Sequence, residues 1–109
     1  MEDYRKQILD IAEMKDGWGC DCTGKPFSKL LIERCERIAE KLNVKPRVRP
    51  TLEGEICFDY DTNDINVEIV IDDNGLFGFV TKNDIDNSVF TFDTEESAIN
   101  FWNIFIAEN

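Results

Sequence analysis

The sequence predicts an α+β fold, because the hydrophobic period changes twice along the chain. Helical spacing holds before residue 43, strand alternation between 47 and 92, and helical spacing returns after 93. Leu31, Cys35, Ile38 and Leu42 follow steps of four, three and four. The runs after Pro50 are instead rich in β-branched and aromatic residues and are broken by turn residues. A four- or five-stranded antiparallel meander with two N-terminal helices and one C-terminal helix satisfies both patterns. At 109 residues the whole chain, 1–109, reads as a single domain.

Residues 2–14 form the first expected helix, with Tyr4, Ile8, Ile11 and Ala12 at helical spacing. A glycine-rich loop, Gly17-Trp18-Gly19-Cys20-Asp21-Cys22-Thr23-Gly24, follows it. Ser28 is a good N-cap for a second helix that runs to about Leu42, with Glu33, Arg34, Glu36, Arg37, Glu40 and Lys41 facing water. Pro46 and Pro50 bracket an extended edge segment in which Arg47, Val48 and Arg49 alternate. Strands are expected at Glu55 to Asp61, Ile65 to Asp72, Leu76 to Lys82 and Ser88 to Phe92, with Asn74-Gly75 as the hairpin signal between the second and third of these runs. Asp93 or Thr94 should cap the last helix, Glu96 completing a capping box with Asp93. Its buried face would hold Ala98, Phe101, Trp102 and Phe105.

Turn positions then set the strand registers. A turn at Leu52-Glu53-Gly54 pairs Val48 with Phe58 and Arg47 with Asp59. One at Asn63-Asp64 pairs Phe58 with Ile69, Tyr60 with Val67 and Asp59 with Glu68. Ile56, Phe58, Tyr60, Val67, Ile69 and Ile71 therefore share a core face. Cys57, Asp59, Asp61, Asn66, Glu68, Val70 and Asp72 share the other. Continuing through Asn74-Gly75 adds Phe77 and Phe79 to this second face, and a loop over 82–87 adds Phe90 and Phe92. Four aromatic side chains in a row are either covered, by the last helix or through a register shift at a bulge, or form a partner or homodimer surface. The covered arrangement is the one expected here.

Charge is divided as sharply as structure. Residues 1–50 carry 11 Lys/Arg against 9 Asp/Glu, whereas residues 51–109 carry 14 Asp/Glu against Lys82 alone. Such a half-chain attracts basic surfaces and repels nucleic acid. The like-charged neighbours Asp59 and Glu68 need a compensating group. Apolar residues make up 42% of the chain, so the acidity decorates a fold rather than a disordered tail.

Several chemistries lose support. The chain has no histidine, which removes the usual general base and most catalytic zinc sites. A small carboxylate-dependent enzyme remains as an alternative, with no spacing that singles out a pair. Gly17 and Gly19 precede no phosphate-loop Lys. Cys20 and Cys22 with Cys35 and Cys57 lack paired-knuckle spacing, so zinc is not expected, and four cysteines in 109 residues are too few for a disulfide framework; Cys20 and Cys22, beside Lys25, are the candidates for redox reactivity. Asp59-x-Asp61-x-Asn63 begins like a calcium loop but has Asp64 at the sixth position and Val70 at the twelfth. The expectation is thus no catalytic residue, no metal and no cofactor. Lys29, Arg34, Arg37 and Lys41 are interleaved with glutamates, so no direct nucleic-acid binding is expected. Met1-Glu2-Asp3-Tyr4 and the absence of a long apolar run point to a cytoplasmic protein without a membrane partner.

Gly17-Trp18 after a first helix, Pro26 and Ser28 before a second, then Pro50-Thr51, Gly54 and a strand ending near Tyr60 resemble small bacterial and mobile-element proteins with a Gly-Trp-Asp-Gly-type loop. The likeness spans most of residues 5–80 and departs at Gly19-Cys20-Asp21-Cys22. It implies the α+β arrangement and Trp18 as a loop anchor into the core, and assigns no activity. In general character the acidic, histidine-free chain is similar to phage-encoded inhibitors of host nucleases, including anti-CRISPR and anti-restriction proteins. The expected function is a non-catalytic interaction protein, in part a nucleic-acid mimic, that blocks a basic, nucleic-acid-binding effector. Asp59, Asp61, Glu68, Asp72, Phe77 and Phe79 are the expected partner-binding residues. The alternative partner is a basic toxin, neutralised as an antitoxin or immunity protein would neutralise it.

Overall fold

A computed structural model describes residues 4–19, 24–62, 64–82 and 86–107. The elements run α1 (Tyr4–Ala12), α2 (Lys29–Lys41), β1 (Arg47–Pro50), β2 (Ile56–Asp61), β3 (Ile65–Ile71), β4 (Leu76–Lys82), β5 (Asp86–Phe92) and α3 (Glu95–Ala107). The strands form one antiparallel meander in sequence order. This is the α+β architecture that the alternating periods predict.

Each helix forms where its apolar stripe and its cap coincide. Ser28 Oγ accepts from the Leu31 amide at 3.1 Å, and Leu31, Cys35, Ile38 and the C-cap Leu42 are buried. In α1 the buried residues are Tyr4, Ile8 and Ile11, while Ala12 is exposed. At α3 the cap is Thr94, whose Oγ1 accepts from the Ser97 amide at 3.1 Å, so the Asp93–Glu96 box is not the one used. Ala98, Ile99 and Trp102 of α3 are buried, with Phe101 and Phe105 partly so.

All three helices lie on one face of the sheet. Their buried residues join Val48, Ile56, Phe58, Val67, Ile69, Ile71, Leu76 and Val80 in a single core. Trp102 is fully enclosed, and its Nε1 donates to the Val44 carbonyl at 2.9 Å. The registers of β1, β2 and β3 are those expected: Val48 faces Phe58, Arg47 faces Asp59, Phe58 faces Ile69 and Asp59 faces Glu68.

Two strand registers differ from expectation, with different consequences. Between β3 and β4 the chain reverses at Asp73-Asn74, since Asp72 N donates to Gly75 O at 3.1 Å and Ile71 pairs with Leu76. A turn centred on Asn74-Gly75 would shift that register by two residues. An even shift leaves every side chain on its face, so Phe77 and Phe79 do lie opposite the core. Between β4 and β5 the shift is odd. Gly78 pairs with Phe90 and Leu76 with Phe92, which moves both phenylalanines to the helix-covered face.

Gly78 is the physical reason. A Cβ there would come within 2.8 Å of the Phe92 ring and 3.1 Å of the Phe101 ring, so the missing side chain makes the space those rings fill. Phe101 of α3 packs on Phe90 and Phe92 with ring centroids 4.9 and 5.1 Å apart. The last helix therefore packs on Phe90 and Phe92, leaving Phe90 36% exposed, and does not cover Phe77 and Phe79. Trp18 also departs from expectation: it is half-buried outside the main core. It folds back on its own loop, its ring against Gly24 and 5.9 Å from Phe27.

Candidate partner-binding surface

The uncovered face of the sheet is built from three cross-strand rows. Arg47, Asp59, Glu68, Phe79 and Val89 form the first, and Arg49, Cys57, Val70, Phe77 and Thr91 the second. Asp61, Asn66, Thr81 and Asn87 form the third. Opposite residues in an antiparallel ladder point to the same side, so each row is a line of neighbours. The face grades from charged at β1 to an apolar patch of Phe77, Phe79 and Val89 on β4 and β5, bordered by Thr81, Asn87 and Thr91.

At the charged end, Asp59 is only 3% exposed although no helix covers it. Its Oδ1 accepts from Arg47, with Nη2 at 3.0 Å, and its Oδ2 accepts from Arg49 Nε at 2.7 Å. Arg49 also reaches Glu68, with Nη2 4.0 Å from Oε2. The guanidinium of Arg49 is thus the group that makes Asp59 and Glu68 tolerable as direct neighbours. Sequence reasoning noted Arg47 opposite Asp59 and missed this second arginine, although the Arg47-Val48-Arg49 alternation places both on one side of the strand.

At the apolar end, Phe77 and Phe79 are half-buried and Val89 is 65% exposed. Beside them Cys57 and Val70 are buried in the floor of a shallow depression bordered by Arg49, Glu55 and Glu68. Burial, followed by the charge and hydrogen bonding of Glu68, pushes the Cys57 thiol up to about 12. Cys35, enclosed in the helical core, is pushed up to about 12 chiefly by burial. Both thiols are therefore protonated at neutral pH and poor nucleophiles. Cys20 and Cys22 lie outside the described residues.

The expected partner-binding residues are only partly brought together. Glu68, Phe77 and Phe79 share the depression. Asp61 lies at the end of the same face, exposed, with Asn66 Nδ2 3.5 Å from its Oδ1. Asp59 is enclosed by arginines. Asp72 is drawn into the β3–β4 turn, where its Oδ1 accepts from the amides of Asn74 at 2.7 Å and Gly75 at 2.5 Å. The four carboxylates are thus not one exposed row. Val89, which sequence reasoning did not single out, joins the surface because of the β4–β5 register.

Among the described residues no three metal-ligating side chains form a cluster, and no helix is long and apolar enough to cross a membrane. Comparison with protein families, curated proteins and solved structures finds no match for the chain.

Proposed function

We propose that this chain is a non-catalytic interaction protein that covers a basic surface of a protein partner with the open face of its sheet. The observation that carries the reading is the pair Phe77 and Phe79, half-buried on a face that no helix covers, over a Cys57–Val70 floor and beside Glu68. An apolar anchor with charged groups at its border is the usual anatomy of a docking site. The acid excess of residues 51–109 steers a cationic partner toward it. An enzyme reading has less support, because both oxygens of the most enclosed carboxylate, Asp59, are already held by arginines.

The partner is read as a nucleic-acid-binding effector, blocked in the manner of a phage or mobile-element inhibitor of anti-CRISPR or anti-restriction type. Asp61 and Glu68 are the carboxylates left to stand in for phosphates, since Arg47 and Arg49 hold Asp59 and the hairpin holds Asp72. That division favours a second reading, an antitoxin or immunity-type protein that docks a basic toxin through the Phe77–Phe79 end.

Affinity capture followed by kinetics on the captured protein tests the proposal. Its association rate should fall roughly tenfold or more with added salt or with Asp61→Asn and Glu68→Gln together. Phe79→Ser should abolish binding while the chain stays folded. Competition by nucleic acid identifies the effector version, and its absence the toxin version. A captured partner that binds Phe79→Ser as well as the parent, at any salt, overturns the reading.

A further inference from the structure

The two edges of the sheet are finished in opposite ways. In an antiparallel ladder, alternate residues of a strand aim their N–H and C=O at one neighbour and the rest aim at the other. The closing bonds Thr51 N to Glu55 O, Thr62 N to Ile65 O and Asp72 N to Gly75 O set that alternation through the meander. On β1 it turns Arg47 and Arg49 toward β2, so that Val48 and Pro50 face outward. Proline has no N–H to offer, and the Val48 amide donates to Gln7 Oε1 of α1 at 2.7 Å. The β1 edge presents no unbonded donor among the described residues.

On β5 the same alternation gives the ladder bonds to the pairs Leu76–Phe92, Gly78–Phe90, Val80–Ser88 and Lys82–Asp86. Asn87, Val89 and Thr91 therefore aim their amides and carbonyls outward, and no described residue bonds them. Natural edges are blunted by proline, charge, bulges or a covering element. The strand contains no proline and one charged residue, Asp86 at its start, and the seven-residue register with β4 has no bulge. Exposed apolar side chains gather along this edge. Val89 is 65% exposed, Phe90 36% and Ile104 59%, the last one turn of α3 beyond the Phe101 ring that packs on Phe90.

We propose that β5 is a dimerisation edge, pairing antiparallel with β5 of a second copy of this chain about a two-fold axis at Val89. The strand is complementary to itself in that register. Val89 meets Val89 and Asn87 meets Thr91, so every outward backbone group of one copy faces an outward group of the other. The two open faces then continue on the same side, and the two α3 helices lie together on the other. The one charged residue of β5, Asp86, meets Phe92 in that register, so no like-charge pair forms across the axis. A charged strand from a basic partner would find acidic residues only at the ends of this edge, Asp86 and Asp93, whereas a second copy matches both the backbone pattern and the apolar exposure. Two chains of charge −11 repel, so added salt tightens this dimer.

Sedimentation equilibrium and amide exchange on the full chain, from micromolar to millimolar concentration, test the inference. The expected result is a monomer–dimer equilibrium that tightens roughly fivefold between about 50 and about 500 mM salt. Protection of the Asn87, Val89 and Thr91 amides should rise with concentration. Val89→Pro removes an outward N–H and no β4 bond, and Val89→Lys sets two cations at the axis. Each should weaken the dimer roughly a hundredfold with native circular dichroism. Val89→Lys keeps the test decisive if the proline variant misfolds. A monomer at millimolar concentration with unprotected amides overturns the inference, as does a dimer indifferent to Val89→Lys. Protection that appears only when an unrelated extended peptide is added also overturns it, in favour of a foreign strand. The outcome is separable from that for the basic partner, whose complex weakens with salt and depends on Phe79.

Discussion

The two faces of one sheet are built from alternate residues of the same strands and are stabilised by different physics. On the covered face Phe58, Val67, Ile69 and Ile71 are enclosed by helices, and specificity comes from volume, as Gly78 and the Phe92 and Phe101 rings illustrate. On the open face Asp59 is almost as enclosed as the core residues, yet two arginines rather than a helix enclose it. The first face tolerates little change in shape. The second tolerates changes in shape but little change in charge balance.

The largest test of that contrast pairs one substitution on each face. Trp102→Ala empties a fully buried site and orphans the Val44 carbonyl, which should cost roughly 3–5 kcal/mol and lower the melting temperature by about 15–30 °C. Phe79→Ser, half-buried on the open face, should cost about 1 kcal/mol or less. Thermal unfolding of both compares them directly. Equal losses would mean that the open face is a second core and would end the comparison.

Next in size is the charge balance of the open face. Changing Arg47 and Arg49 together to Met leaves Asp59 enclosed beside Glu68 with no counter-charge, at a cost of about 2–3 kcal/mol. Adding Asp59→Val to that double variant should restore most of the loss, because a whole buried ion cluster can often be replaced by apolar residues. Urea unfolding of the three chains measures both steps. Failure of the third change to rescue would show that the arginines act through packing alone.

How far the comparison was legible in the sequence depends on parity. The β1–β2 and β2–β3 registers follow from short turns and from alternation that allows only one choice of buried face. At Asp73-Asn74 the turn chemistry misled by two residues, which a period of two forgives. Between β4 and β5 the expected loop over 82–87 sets a register off by one, which exchanges faces, so Phe90 and Phe92 are expected beside Phe77 and Phe79. Gly78 was the available signal, since a glycine inside a strand marks close approach by another group. The enclosure of Asp59 was harder to read. Alternation shows that Arg47 and Arg49 share a face, but nothing in it shows both guanidinium groups turning onto one carboxylate.

The smallest expected effect concerns the other arginine–carboxylate cluster, at the α2–α3 seam on the covered side. Glu95 accepts from Arg37, with Nε 3.1 Å from Oε1 and Nη2 2.8 Å from Oε2, while Arg34 Nε lies 3.5 Å from Oε2. The hydrogen bonds from Arg37 hold its carboxyl below the usual value, burial works against them, and the charges of Arg37 and Arg34 add to the lowering. A carboxyl depressed in the folded state contributes stability that is present above the unfolded pKa of about 4.3 and is lost as pH falls through the lower folded value. Unfolding followed from about pH 6 to about pH 3 should therefore lose stability less steeply in Glu95→Gln than in the parent. Arg37→Ala should flatten the same limb. Because this cluster faces solvent, its contribution should lie well below that of the enclosed Asp59 cluster, and it should shrink with salt. A Glu95→Gln profile parallel to the parent would show that the α2–α3 seam is held by the apolar contacts of Leu31, Ala98 and Ile99, with the ion pairs as bystanders.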